Sequence, residues 1–388
     1  MIGGIWEGRR AGLRLLMVVS VLLLLGVGLW CIYRFSPSSV AIKKQLMWLG
    51  ICLGAFCAVN LVHYRLLGEF SFLLFGVSLA LLMFVLLCKW VLPPQNPIVP
   101  MINGAHRWIK VGPASIQPSE LAKLAFVLSL AWYLRLRDNY RTLKGLLGPF
   151  LLTLIPMALI LFEPDLGTVL LFLPVLFSML FMAGAKLRHL LAIIALGVLM
   201  AYPFYLIMPS YQKKRIQILV NQNDRSLHWR RNEGYQLDRS KTYIATGGLR
   251  GRFEERPDHL GYIGTLPHGH NDFIFARICH ELGLIGGVAV LLLYLMLLIS
   301  ALEIVSTQPD PFGRLVGVGI TALLFTQVFV NVGMTMGLMP ITGMTLPFVS
   351  YGGSSLLSSF LALGLLANVA RHRPYKSLAP RQPFEFDE

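Results

Sequence analysis

Charge is what this sequence has little of. Of its 388 residues, 14% are Asp, Glu, Lys or Arg, against roughly 25% in a soluble domain. Acids are the scarcer sign, with 19 Asp and Glu against 34 Lys and Arg. Composition of this kind excludes an ordinary soluble domain. Cysteine is also sparse. Cys31, Cys52, Cys57, Cys88 and Cys279 lie in or beside apolar runs, and none has the spacing of a zinc site or a disulfide framework. They read as small apolar side chains. Internal repeats and low-complexity tracts are absent. So is a clear small-x-small cleavage site after the first apolar run, roughly 13–33, which follows Arg9, Arg10 and Arg14. That run is too long for a signal-peptide core and reads as a retained span.

What is present is apolar length. Hydrophobic residues make up 55% of the chain, and uninterrupted runs of about 20 residues recur, the length a helix needs to cross a bilayer. Each span must be helical, because the bilayer core offers the backbone no hydrogen-bond partners. The expected fold class is therefore all-α, a polytopic membrane protein with about ten spans, at roughly 13–33, 45–64, 70–91, 117–136, 146–163, 167–185, 188–208, 278–304, 314–338 and 350–370. The expected organisation is a single membrane domain over 1–388, with a long hydrophilic loop at about 209–271 and a polar C-terminal tail at about 371–388.

Lysine and arginine in the short loops favour one side by roughly threefold, which places both termini in the cytoplasm and the long loop outside the cytoplasmic membrane. That loop carries an excess of about five positive charges. It reads either as a solvated loop drawn to anionic membrane lipids or as a site for an anionic substrate arriving in the membrane plane. A lipid pyrophosphate is such a substrate, since Lys and Arg hold phosphate oxygens well. No nucleic acid is expected as a partner.

Ionisable residues in or beside spans are costly and usually functional. In "QPSELAK", Glu120 and Lys123 are three apart and share a helix face. They could form an ion pair that only fixes packing, or line an outward-facing cavity where Lys123 meets phosphate. In "FEPDLGT", Pro164 and Gly167 break the helix, and Glu163 and Asp165 sit in the break. Asp165 could cap a helix, or the two acids could hold a divalent cation. In "PHGHNDFIFARICHELG", Asp272 stands where the basic loop meets an apolar run. On a helix it would share a small-residue face with Ala276, Cys279 and Gly283. It could be a helix-terminal aspartate or a functional carboxylate. His268 and His270 form H-x-H without a third ligand, so no metal-ligating residue is assigned.

The motifs "NGAHRWIKVGP", "QPSELAK", "EPDLGT", "YQKKRI", "GYQLDRSKTYIATGGLRG", "NDFIFA", "ELG" and "MPITGMTLPFVSYGGSSLL" occur in an order that resembles the SEDS family, which contains RodA, FtsW and SpoVE. The resemblance spans nearly the whole chain and is strongest to RodA. It implies the ten-span SEDS fold and a peptidoglycan glycosyltransferase that polymerises lipid II, the undecaprenyl-pyrophosphate-linked disaccharide pentapeptide. It also implies a partner, a class B penicillin-binding protein acting as transpeptidase, and a role in cell elongation. A flippase for the same lipid and an FtsW-like septal enzyme are the alternatives. By the same resemblance Asp272 matches the family's essential external aspartate and is the expected catalytic base, while Glu120, Lys123, Asp165, Arg215 and Arg107 are expected at the substrate. A divalent cation such as Mg or Mn is left open as a cofactor. The chain departs from the family where Asn271 replaces a threonine, where "LPHGHND" replaces an "LPE"-type sequence, in "GGLRGRFEERPDHLGYIG", and at His280, where an acid is common.

Overall fold

The computed structural model describes every residue except 1, 36–38, 92, 94–95, 103–104, 113, 138–140, 225, 253–265, 268 and 373–388. His268, most of the "GRFEERPDHLGYIG" segment and the C-terminal tail therefore lie outside the described residues. In chain order the helices are α1 (Ile2–Phe35), α2 (Ser39–Leu61), the short α3 (Tyr64–Glu69), α4 (Ser71–Val91), α5 (Pro118–Leu134), α6 (Leu147–Phe162), α7 (Leu166–Ala183) and α8 (Leu187–Ile207). They continue with α9 (Ser210–Val220), α10 (Leu227–Arg231), α11 (Tyr235–Gly247), α12 (Ile274–Ser306), α13 (Pro311–Met336) and α14 (Gly353–Arg371). Two small antiparallel hairpins fill the α4–α5 connection: β1 (Met101–Ile102) with β2 (Ala105–His106), and β3 (Ile109–Val111) with β4 (Ala114–Ile116).

Each expected span holds a helix. Among the described residues, 9 helices are long and apolar enough to cross a membrane. The remaining expected span, α5, has 17 residues and carries Glu120 and Lys123. It can afford them because nearly all of it is buried inside the bundle rather than against lipid. The chain is thus a multi-pass membrane protein. Helices α5, α7, α12 and α14 all pack on α13, whose ends are set locally. Asp310 caps its first turn by accepting from Gly313 N, Pro311 follows in the first turn, and Gly337 closes it in the left-handed region at φ 80°.

Two expectations are corrected. The segment 209–271 is not simply a solvated loop, since it folds into α9, α10 and α11. The reason is a second apolar cluster, in which Leu237 and Tyr243 of α11 are buried with Leu266, Phe273, Ala276 and Ile341. In addition, α12 starts at Ile274 rather than 278 and breaks at Gly283, whose φ of 70° and ψ of −169° are not helical. Residues 248–251 dock in that break: Leu284 N donates to Gly248 O at 2.9 Å and Ile285 N to Leu249 O at 3.2 Å. A Cβ on Gly283 would stand 2.4 Å from Gly251 N, so only glycine fits. Asp272 precedes the helix and Gly283 interrupts it, so the shared face expected for Asp272, Ala276, Cys279 and Gly283 does not form.

Between α13 and α14 the chain runs back as non-helical backbone, with Ile341, Met344, Leu346, Phe348 and Val349 buried. Irregular backbone survives in a membrane protein only where protein groups or a cavity satisfy it. Here Gln327 Nε2 donates to Thr345 O at 3.1 Å, Asn331 Nδ2 to Met344 O, and the Tyr294 hydroxyl to Pro347 O.

Candidate active site

The floor of the site is the start of α5. Pro118 occupies the first turn, where its missing N–H costs nothing. Glu120 follows in that turn, on the favourable end of the helix dipole. Lys123 Nζ donates to Glu120 Oε1 at 2.9 Å, and Ser358 Oγ of α14 donates to Glu120 Oε2. Both charges are buried, so each is tolerable only because the other is there. The expected pairing is therefore present, and Lys123 is already engaged.

The α6–α7 turn forms one wall. Asp165 caps α7, accepting from Thr168 N at 3.3 Å and Thr168 Oγ1 at 2.8 Å. Its Oδ2 also accepts from Gln117 Nε2 at 3.0 Å and Ser119 Oγ at 3.4 Å. Arg107 crosses from the hairpin region, donating from Nε to Glu163 O at 2.9 Å and from its guanidinium to Pro164 O. Its other amino nitrogen stands 4.0 Å from Asp165 Oδ1. Arg107 thus pins the turn that the sequence marks as a helix break. Glu163 is 0% exposed, and among the described residues neither carboxylate oxygen has a hydrogen-bond partner. Burial, reinforced by the neighbouring Asp165 charge, pushes its carboxyl up to about 9. It is neutral at physiological pH.

The opposite wall carries Asp272. Phe273, not Asp272, is the N-cap residue of α12. Three successive carbonyls are tied to the α13–α14 region instead. Tyr351 N donates to His270 O at 2.9 Å, Ser350 Oγ to Asn271 O, and Asn331 Nδ2 to Asp272 O at 2.9 Å. The Asp272 side chain is half-buried and points past Gly343, where a Cβ would stand 3.5 Å from Asp272 Oδ2. Gly343 adopts φ 77°, which favours glycine there. Arg215 of α9 belongs to the same wall, donating to Thr342 O at 2.9 Å and to the Tyr211 hydroxyl.

Between these walls lies a cavity of about 580 Å³. Asp272, Glu120, Lys123, Asp165, Arg215 and Arg107, separated by up to 165 positions in the chain (107 to 272), all line it. Sequence reasoning missed Lys44 and Trp48 of α2, Tyr211, Gln236 and Tyr351, which line it too. It also missed Asn331, which is 0% exposed and holds the Asp272 backbone from behind. A polar amide inside the apolar pattern of α13 was the available signal. Among the described residues, no group of three or more His, Cys, Asp or Glu side chains could hold a metal ion. Asp165 takes the helix-cap role, its Oδ1 accepting from Thr168 N and its Oδ2 from Gln117, Ser119 and Thr168.

Fold and site together define a multi-pass membrane protein with a charged cavity at one end of its helix bundle, walled by acids and guanidinium groups suited to a phosphate-bearing ligand. The chain belongs to the FtsW/RodA/SpoVE family of cell cycle proteins, whose family model matches residues 10–375. It is 35% identical to the stage V sporulation protein E of Bacillus subtilis, over 93% of this chain and 98% of that protein. It is 34% identical to the peptidoglycan glycosyltransferase MrdB of Escherichia coli, over 74% of this chain and 77% of that one. Among solved structures it is similar to a chain of a peptidoglycan synthase complex that coordinates polymerization and crosslinking, with a TM-score of 0.77, 32% identity and coverage of 92% and 96%. The rod shape determining protein RodA of Thermus thermophilus matches with a TM-score of 0.68, 29% identity and coverage of 93% and 97%.

Proposed function

We propose that this chain is a peptidoglycan glycosyltransferase that polymerises lipid II at the outer face of the cytoplasmic membrane, with both termini in the cytoplasm and a class B penicillin-binding protein as its transpeptidase partner. The observation that carries the reading is the gathering of Asp272 with Arg107, Lys123 and Arg215 around one cavity, at the bundle end where α9–α11 lie. Relatives named as peptidoglycan glycosyltransferases support it.

In the reaction, the sugar 4-hydroxyl of lipid II attacks the anomeric carbon of the growing chain. Asp272 takes the hydroxyl proton as the new C–O bond forms. The bond to pyrophosphate breaks, and its electron pair leaves with the phosphate, whose growing charge the cavity cations stabilise. A single displacement inverts the centre, so an α-linked donor yields a β-linked glycan. Asp272 is assigned as the base because its "NDFIFA" motif matches the family's essential external aspartate and because it lines the cavity with the cations.

The finer reading is a RodA-like role in elongation and cell shape, supported by the motif resemblance and by likeness to the RodA structure. Depletion then rounds the cells, whereas a septal role would produce filaments. The test of the enzymatic reading is polymerisation of lipid II by the purified chain with its transpeptidase in detergent, where there is no membrane to cross. Glycan strands are expected. Absence of polymer, with lipid II moved across sealed vesicles, would favour a flippase.

A further inference from the structure

Four cations line the cavity: Lys44, Arg107, Lys123 and Arg215. Three are already bonded within the protein. Arg107 holds the carbonyls of the α6–α7 turn, Lys123 holds Glu120, and Arg215 holds Thr342 O and the Tyr211 hydroxyl. Lys44 differs. It is exposed in the second turn of α2 and has no hydrogen bond or ion pair among the described residues. One helical turn on, Trp48 lines the same wall. Its buried ring covers the start of α14 so closely that a Cβ on Gly353 would stand 2.0 Å from it.

A ligand anion reaching Arg107, Lys123 or Arg215 must share or displace an existing bond. At Lys44 it displaces no bond within the described residues, and an ammonium offers three donors. Polymerisation also brings two lipid pyrophosphates to one cavity, so the anionic groups to be held outnumber those of a one-substrate site. Resting on the glycosyltransferase reading, we propose that Lys44 is a further substrate-binding residue, holding an oxyanion of lipid II on the α2 wall of the cavity beside Trp48. The oxyanion is a pyrophosphate oxygen or a stem-peptide carboxylate. Both present the same chemistry to an ammonium group.

The test uses the purified full chain with its transpeptidase as wild type, Lys44→Ala and Lys44→Arg. Equilibrium binding of lipid II is measured beside polymerisation kinetics. Loss of a charge-assisted hydrogen bond predicts binding and KM weaker by about ten- to a hundredfold in Lys44→Ala, with kcat within about twofold. Lys44→Arg restores most of the loss, and added salt narrows the gap between wild type and Lys44→Ala. Unchanged binding and KM in Lys44→Ala overturns the proposal, as does a loss confined to kcat. Because Lys44 is exposed, Ala is not expected to disturb folding. Monodispersity and the recovery by Arg check this.

Repeating the binding with lipid II whose peptide carboxylates are amidated separates the two sources. A wild type to Lys44→Ala ratio that survives amidation assigns the pyrophosphate, and one that collapses assigns the peptide. The two readings also fail separately. Wild type that binds lipid II through Lys44 but makes no polymer ends the polymerase reading alone. Full polymerisation with Lys44→Ala equal to wild type in binding and KM ends the Lys44 assignment alone.

Discussion

Asn331 donates from its side-chain amide to the backbone carbonyl of Asp272 at 2.9 Å, and from the same nitrogen to that of Met344. A fully buried amide on α13 thus joins the turn bearing Asp272 to the non-helical segment bearing Gly343 and Arg215's acceptor, Thr342. Asp272 owes its place to this tie and to those from Ser350 and Tyr351, and not to a helix cap. Asn331→Ala leaves the buried Met344 carbonyl and the part-buried Asp272 carbonyl short of a donor, at about 1–3 kcal/mol for the buried one. Reduced thermal stability is expected, together with a fall in kcat larger than any rise in KM. Steady-state polymerisation of lipid II by the variant checks it. Unchanged kcat would show that Asp272 is positioned by other means.

Glu120 and Lys123 form a buried pair at 2.9 Å. Lys123→Met strands one buried carboxylate and is expected to destabilise the protein by about 3–5 kcal/mol. The swap of both residues restores the pairing. It is expected to recover folding, as measured by size-exclusion profile and thermal melting, but not full polymerisation. A fully active swap would reduce the pair to a packing device.

Glu163 gives a pH-dependent expectation. Its folded pKa of about 9 lies above the ordinary 4.5, so as pH rises the unfolded chain loses this proton before the folded one. The stability cost begins near pH 4.5 and grows until about pH 9. At pH 7 it amounts to roughly 3 kcal/mol, from about 2.5 pH units at 1.36 kcal/mol each. Glu163→Gln keeps the shape without the proton. It is expected to melt above wild type at pH 7–8 and to match it near pH 4.5. Equal melting at both pH values would mean that Glu163 is ionised in the folded protein.

Much of the site was legible in the sequence because its chemistry is local there. The i, i+3 spacing of Glu120 and Lys123 pointed to their bond, and the Pro164–Gly167 break offered the cap of α7 as one of two readings of Asp165. What was hidden is long-range. Asn331 meets Asp272 from 59 positions away and Ser358 meets Glu120 from 238, and neither separation leaves a periodic trace. The polar composition of α9–α11 hid their helices, because only part of α11 turns apolar residues inward, onto α12 and α13. The break at Gly283 was hidden as well, since a glycine inside an apolar run looks like any other until the docked 248–251 segment requires it.

Orientation rests on the distribution of Lys and Arg. Single cysteines at Glu233 and at Arg141, in a background without the native cysteines, are expected to behave oppositely toward a membrane-impermeant thiol reagent on intact cells. Glu233→Cys labels and Arg141→Cys does not. The reverse pattern would turn the cavity toward the cytoplasm and remove the polymerase mechanism with it.

The central claim is that Asp272 takes the proton from the acceptor hydroxyl. Asp272→Asn preserves size and the backbone carbonyl that Asn331 holds, but removes the proton acceptor. Purified wild type and Asp272→Asn, each with the partner transpeptidase, are compared for lipid II binding and for glycan strands formed per unit time. The expected result is retained binding with polymerisation lower by about 10²–10⁴, roughly 3–5 kcal/mol of barrier. Polymerisation within a few-fold of wild type would contradict the account.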